Sequence, residues 1–180
     1  MNLDVGNGIR LTEVRRSDKD ALIELLNSRE IYDRTLRIPF PYTASDAEKW
    51  FAGIDEAIKK NEPLFQWAIR NESDRLFGGI GFDGLIVAES HRAEIGYWLG
   101  QPFWSRGIMT AAVHTVCRHA FENLDLVKIT AHVFSFNDAS ARVLEKSGFQ
   151  SEGYLRKHFV KDGQYLDANL FGLVRGEKPD

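Results

Sequence analysis

Cysteine is nearly absent from this chain: Cys117 stands alone among 180 residues, which rules out an internal disulfide and fits a reducing compartment. It falls inside a helical run, where a small buried side chain is the expected role rather than a nucleophile. Long apolar runs are also missing. None approaches the roughly 18 residues needed to cross a bilayer. Met1 to Arg10 is polar and glycine-bearing, without the apolar core of a secretion signal. A cytoplasmic location without a membrane partner is therefore expected. Nor is there an excess of positive charge: a net −3 gives no general attraction to nucleic acid or an anionic membrane. No GxxxxGKS/T fingerprint occurs, so no nucleotide-hydrolysing loop is supported. His91, His114, His119, His132 and His158 show no ligand spacing, and no metal is expected.

What is present is a globular composition, 43% apolar and 27% charged, in a length that suits one domain with a sizeable core. One stretch organises it. Ala93 to Leu99 reads as a strand, followed by Phe103-Trp104-Ser105-Arg106-Gly107-Ile108-Met109-Thr110 and a periodic run from Ala111 to Phe121. A strand thus enters a turn and then a helix starting near Arg106. The first turn of a helix leaves N–H groups unpaired, and its partial positive end favours anions. Gly107 lets a bound group approach the main chain, and Arg106 adds charge. The plainer alternative is that Gly107 only eases a tight turn.

Around this stretch, Ile9 to Val14 reads as a strand. Ser17 or Asp18 caps a helix striped by Leu22, Leu25 and Leu26 that gives way near Ile31. Arg34 to Tyr42 is irregular, because Pro39 and Pro41 prevent a continuous helix. Thr43 or Ser45 caps a helix carrying Ala47, Trp50, Phe51 and Ile54, which ends before Asn61-Glu62-Pro63. Phe65 to Ile69, Leu76 to Phe82 and Arg92 to Leu99 form an expected antiparallel meander, their connections being too short for crossovers. Leu126 to Phe134 follows a helix and is expected parallel to Ala93–Leu99. A helix from Asp138 to Lys146 stops at Ser147-Gly148. Phe149 to Val160 and Leu166 to Val174 make a hairpin through Lys161-Asp162-Gly163. The expectation is a mixed α/β (α+β) fold: one central, mostly antiparallel mixed sheet of six to seven strands with about four helices. If the two central parallel strands diverge, they open a slot.

These residues carry a family resemblance. Ala93-Glu94-Ile95-Gly96-Tyr97-Trp98-Leu99, Trp104 to Thr110, Asn137 to Phe149 and Pro39-Phe40-Pro41-Tyr42 together resemble the GCN5-related N-acetyltransferases (GNAT). More specifically, they resemble the branch of ribosomal-protein N-terminal alanine acetyltransferases. The likeness spans about Ile9 to Val174. It implies a single N-acetyltransferase domain over 1–180 (core about 9–174), an acyl-CoA N-acyltransferase fold, and acetyl-CoA as cosubstrate. It further implies that Trp104, Ser105, Arg106, Gly107, Ile108, Met109 and Thr110 hold the pyrophosphate through the main chain, and that Asn137 meets the amide arm of the coenzyme. The family's loop pattern has Gln or Arg where Trp104 stands and Gly or Ala where Met109 stands. Only Gly107 matches, but backbone donors do not require those side chains. Ser140 matches the branch's serine near the sulfur. Many relatives have a tyrosine where this chain has Leu144, which cannot donate a proton, so Ser140 is the acid candidate. A serine serving only the local helix start is its alternative role.

The reaction implied is direct acetyl transfer to a primary amine, with a strand N–H polarising the carbonyl and both reactants held in one slot. Glu94 is the candidate base, acting through water. Its alternatives are electrostatic selection of a cationic amine or a solvated strand position. His91 is a weaker candidate. Of Tyr97 and Trp98, one is expected in the core, and Tyr97 is the candidate facing substrate. By resemblance, Phe40 and Tyr42 border the acceptor entrance, with loop anchoring as their other role. The expected acceptor is a protein or peptide N-terminus. Two alternatives stand beside it: a small-molecule amine (polyamine, aminoglycoside-like or amino acid), or an acyl-CoA-binding module with little turnover. A monomer or homodimer is expected.

Overall fold

In the computed structural model, which describes residues 2–60, 62–83, 85 and 90–176, the chain begins with a strand that the sequence reading left out. Strand β1 (Asn2–Gly6) turns through Asn7 and Gly8, both at positive φ, into β2 (Ile9–Thr12), which pairs with it antiparallel. Two positive-φ residues match the right-handed twist of a tight hairpin. Then come helices α1 (Lys19–Leu26), α2 (Arg29–Arg34) and α3 (Ala44–Lys59), and strands β3 (Gln66–Arg70), β4 (Leu76–Asp83) and β5 (Arg92–Leu99). Helix α4 (Ile108–Asn123), strand β6 (Lys128–Phe134), helix α5 (Asp138–Lys146) and strands β7 (Gln150–Lys161) and β8 (Gln164–Val174) complete the chain. The strands form one eight-stranded mixed sheet in the order β1-β2-β3-β4-β5-β6-β8-β7. Among the described residues the strand count exceeds the expected six to seven because β1 adds a strand, and there are five α-helices rather than about four. The extra helix arises at Asn27-Ser28, where Ser28 caps α2 by accepting from the Ile31 N–H. The chain divides into two compact units, 1–81 with 97–108, and 82–96 with 109–180.

In the first unit, β2 pairs antiparallel with β3, and β3 with β4. Helix α3 starts on a capping box: the Thr43 hydroxyl accepts from the Asp46 N–H at 3.4 Å, and the Asp46 carboxylate accepts from the Thr43 N–H at 2.9 Å. Asn61, placed by the sequence just past this helix, lies outside the described residues. Behind β3, Arg70 is 1% exposed and grips Asp18, itself 3% exposed, at 2.6 Å and 2.5 Å. Thr12 Oγ1 accepts from Arg70 Nε at 2.7 Å, and the Asp74 and Glu13 carbonyls accept from its remaining N–H groups. A buried charge tolerates this place only because every donor is matched.

In the second unit, β5 pairs parallel with β6, β6 antiparallel with β8, and β8 antiparallel with β7. Val113, Val116, Ala120, Leu126, Ile129 and Leu144 are wholly buried, and Cys117 sits among the buried residues of α4. Helix α5 ends at Gly148 (φ 89), where the Phe149 N–H donates to the Leu144 carbonyl at 3.1 Å. That closing bond needs a left-handed residue, so the Ser147-Gly148 stop read from the sequence has a direct cause.

Candidate active site

The cradle loop, as far as Ile108, belongs to the first unit. Strand β5 ends at Leu99, and Gly100 donates to the Phe77 carbonyl at 2.9 Å. The ring of Phe103 stacks on Phe77 at 4.6 Å, and the Trp104 indole N–H donates to the Leu99 carbonyl at 2.7 Å. Trp104 thus ties the loop back to the strand, with the Arg34 guanidinium 5.8 Å over its ring. Ser105 (φ 60) and Gly107 (φ 74) then adopt left-handed backbone on either side of Arg106, and α4 opens at Ile108. No heavy atom lies within 4 Å of where a Cβ would stand on Gly107. Ser105, Arg106 and Gly107 are exposed, whereas the Ile108 and Met109 side chains are buried. The donors on offer to an anion are therefore main-chain N–H groups, beside open space. That arrangement fits a coenzyme pyrophosphate without calling on the side chains at the Trp104 and Met109 positions. Arg106 lies over the Phe103 ring at 5.8 Å.

The other first-unit candidates are placed less uniformly. Phe40 is 40% exposed, packs 5.9 Å from Tyr32, and lines a cavity of about 340 Å³ with Glu24, Leu25, Ser28, Arg29 and Glu30. Tyr42 is 6% exposed, and burial, reinforced by the charge of Asp46, pushes its phenol above the ordinary tyrosine range. Tyr97 and Trp98 are both half-buried rather than divided between core and slot. Trp98 packs against Gly79, where a Cβ would stand 2.5 Å from the indole nitrogen.

In the second unit the β5–β6 register runs from Arg92↔Lys128 to Glu94↔Thr130, while both strands continue beyond it. Glu94 therefore stands at the last paired position, where the expected slot would begin. Its Oε1 lies 2.9 Å from Nδ1 of His132, two residues past Thr130 on the same face of β6. Their side chains are 41% and 20% exposed. The His132 ring stacks on His158 at 4.9 Å and 15°, and Phe159 meets both rings edge-on. His91 is exposed, and its carbonyl accepts from the Val127 N–H at 2.9 Å.

Asn137, 9% exposed, caps α5: its Oδ1 accepts from the Ser140 N–H at 3.3 Å. This commits the amide oxygen and leaves the NH₂ group as the part able to donate to a ligand. Ser140 is half-buried in the first turn of the helix. Among the described residues, no group of three or more His, Cys, Asp or Glu side chains is placed to hold a metal. No helix among them is long and apolar enough to cross a membrane.

His132 escaped the sequence reading. The sequence puts Val127, Ile129, Ala131 and Val133 on one apolar face, of which Val127 lies before β6 and is exposed, whereas Lys128, Thr130 and His132 share the other. A histidine on the polar face of a central strand, neighbour to the strand that carries Glu94, was the available signal.

Comparison with known proteins gives a consistent picture. Residues 9–150 match the family model for the acetyltransferase (GNAT) domain. The uncharacterized N-acetyltransferase p20 of Bacillus licheniformis is 30% identical over 169 residues, 94% of each chain. The [Ribosomal protein uS5]-alanine N-acetyltransferase of Escherichia coli is 25% identical over 121 residues, 67% of this chain and 62% of that one. Among solved structures, spermidine N-acetyltransferase from Vibrio cholerae, in complex with CoA and spermine, superposes with a TM-score of 0.79. It is 20% identical, with 94% of this chain and 97% of that one covered.

Proposed function

This chain belongs to the GNAT acetyltransferase family, whose members are acetyl-CoA-dependent enzymes acting on amines, and from that premise we propose that its acceptor is the N-terminal α-amine of a protein or peptide. The observation that carries the acceptor class is the alignment with an enzyme named for a ribosomal-protein alanine. The spermidine-acetylating neighbour, at 20% identity, shares the fold, and a fold alone does not select an acceptor.

The cradle of Ser105 to Thr110 holds the coenzyme pyrophosphate on main-chain N–H groups, and the Asn137 NH₂ group donates to its amide arm. Bound acetyl-CoA supplies the acetyl group as a thioester, whose carbon–sulfur bond breaks as the amine nitrogen bonds to the acetyl carbon. Glu94 accepts the proton that the ammonium must lose before its lone pair can attack, directly or through water. A β5 main-chain N–H past Glu94 stabilises the negative charge that develops on the carbonyl oxygen. The Ser140 hydroxyl gives its proton to the departing thiolate and regains one from the nitrogen that has bonded to the acetyl carbon, directly or through water, so that CoA leaves as the thiol and the serine is restored. Leu144 is wholly buried and has none to give. Phe40, Tyr42 and Tyr97 belong to the acceptor side. Phe40 lines a cavity, and the buried Tyr42 serves as an anchor.

Initial rates across an acceptor panel test this reading. Peptides with free N-termini should give a kcat/KM at least about tenfold above polyamines, aminoglycosides and free amino acids, a difference of about 1.4 kcal/mol in transition-state binding. The reverse order would move the assignment to a small amine. Coenzyme binding without turnover on any acceptor would move it to a binding module.

A further inference from the structure

Accepting the proposed role of Glu94 as proton acceptor, we infer that His132 is its positioning residue: the imidazole holds the carboxylate by one oxygen and leaves the other for the amine proton. The contact is 2.9 Å, from His132 Nδ1 to Glu94 Oε1. An ionised carboxylate can only accept, so Nδ1 must carry the hydrogen and donate. Glu94 Oε2 has no partner among the described residues, and it stands where the β5–β6 register ends. A glutamate has three side-chain torsions, and one 41% exposed is free to rotate unless held. The single hydrogen bond from β6 removes most of that freedom, which is the contribution a general base needs from its neighbours.

The imidazole is itself held. Its ring lies face to face with His158 at 4.9 Å and edge-on to Phe159 at 5.9 Å. His158 comes within reach because β7 bulges: Leu155 pairs with Ala168 and Phe159 with Leu166, so three residues of β7 stand opposite Asp167 alone. Asp167 clamps that bulge, accepting from the Lys157 N–H at 2.7 Å and the Tyr154 hydroxyl at 2.6 Å. Lys157 takes the left-handed backbone (φ 50) that turns the chain there. The sequence of support runs from Asp167 through the bulge and His158 to His132, and ends on the carboxylate of Glu94.

Four variants in the full chain test the inference: Glu94→Gln, His132→Phe, His132→Asn and Glu94→Gln/His132→Phe. For each, kcat, the KM of the acceptor, the affinity for CoA and the melting temperature are measured. His132→Phe keeps a ring to stack on His158 but lacks the donor, and should lower kcat about 10- to 100-fold, the range for losing a hydrogen bond to a charged group. CoA affinity should stay within about twofold, because the lost bond stabilises only the step at the amine. Asparagine places an amide nitrogen where Nδ1 stood, so His132→Asn should recover kcat to within about fivefold of the wild type, most of the loss a missing charged hydrogen bond causes. The double variant should be no slower than Glu94→Gln alone, since two residues acting as a unit do not add. A large loss in Glu94→Gln with His132→Phe within about twofold of the wild type, a difference too small for a lost charged hydrogen bond, would overturn the positioning role and leave Glu94 as the base. Equal losses in the folded Phe and Asn variants would overturn it as well. A Glu94→Gln enzyme of wild-type rate would instead remove the role of Glu94 on which the inference rests.

Discussion

Replacing Gly107 by alanine isolates the backbone contribution of the cradle. Gly107 holds φ 74, and nothing lies within 4 Å of an added Cβ, so the substitution meets no steric obstacle. Its effect is purely conformational, about 1–2 kcal/mol for keeping an L-residue in left-handed backbone. Where that free energy appears depends on the loop. Ser105, Arg106 and Gly107 are exposed, so the unliganded loop can relax to negative φ at little expense of folding stability. The relaxed loop turns its N–H groups away from the position the pyrophosphate needs, and binding must restore the strained form. The strain therefore enters the affinity: CoA should bind Gly107→Ala about 5- to 30-fold more weakly, the factor that corresponds to 1–2 kcal/mol. The melting temperature should move by less than about 2 °C. Gly107→Asn should recover at least half of the lost binding free energy, because asparagine tolerates this backbone region. Calorimetric titration with CoA and thermal unfolding on the same samples decide it. Wild-type affinity in the alanine variant, or an asparagine variant as weak as alanine, would refute a cradle made of main-chain donors.

Two further outcomes follow from the geometry. Arg70→Met leaves the Asp18 carboxylate buried without its partner and should destabilise the protein by about 3–5 kcal/mol, lowering the melting temperature by about 6–20 °C; a drop under about 3 °C in thermal unfolding would contradict the buried pair. The Tyr154 hydroxyl, and next the Lys157 N–H, hold the Asp167 carboxyl below the ordinary carboxylate range. A carboxyl whose pKa is lowered by folding stabilises the folded state above its unfolded value, near ~4, and that contribution fades as the pH falls through the lower folded value. Hydrogen-exchange protection of the Lys157 amide should therefore persist from neutral pH down to about 4 and be lost only below it. Loss of protection already at pH 5 to 6 would show that Asp167 is not held this way.

Much of this fold was legible because its punctuation is local. The capping box at Thr43, the stop at Ser147-Gly148 and the turn at Asp162-Gly163 each lie within a few residues of the bonds they make. The parallel placement of β6 beside β5 followed from the crossover helix between them, and the structure bears it out. Elements that depend on distant partners were harder to read. Strand β1 has few apolar residues, and its extended form is secured by backbone pairing with β2, although Asn7-Gly8 was a hairpin signal within reach. The break between α1 and α2 falls at Asn27-Ser28, which holds neither a proline nor a glycine to mark it, and the buried Ile31 belongs to α2 alone. The β7 bulge could not be read from its own residues, since Asp167 on the neighbouring strand sets it. The same holds for the candidate site. The cradle is a local feature and was visible, whereas the Glu94–His132 contact joins residues 38 positions apart.

The most direct test of the proposed function is to locate the acetyl group on a single acceptor. A peptide with a free N-terminus and an internal lysine is incubated with acetyl-CoA and the enzyme, then fragmented in a mass spectrometer. An otherwise identical peptide with a blocked N-terminus runs alongside. The account predicts one acetyl group on the N-terminal nitrogen, none on the lysine, and no reaction with the blocked peptide. Acetylation of the lysine in both peptides, or of neither peptide while a small amine in the same mixture is acetylated, would contradict it.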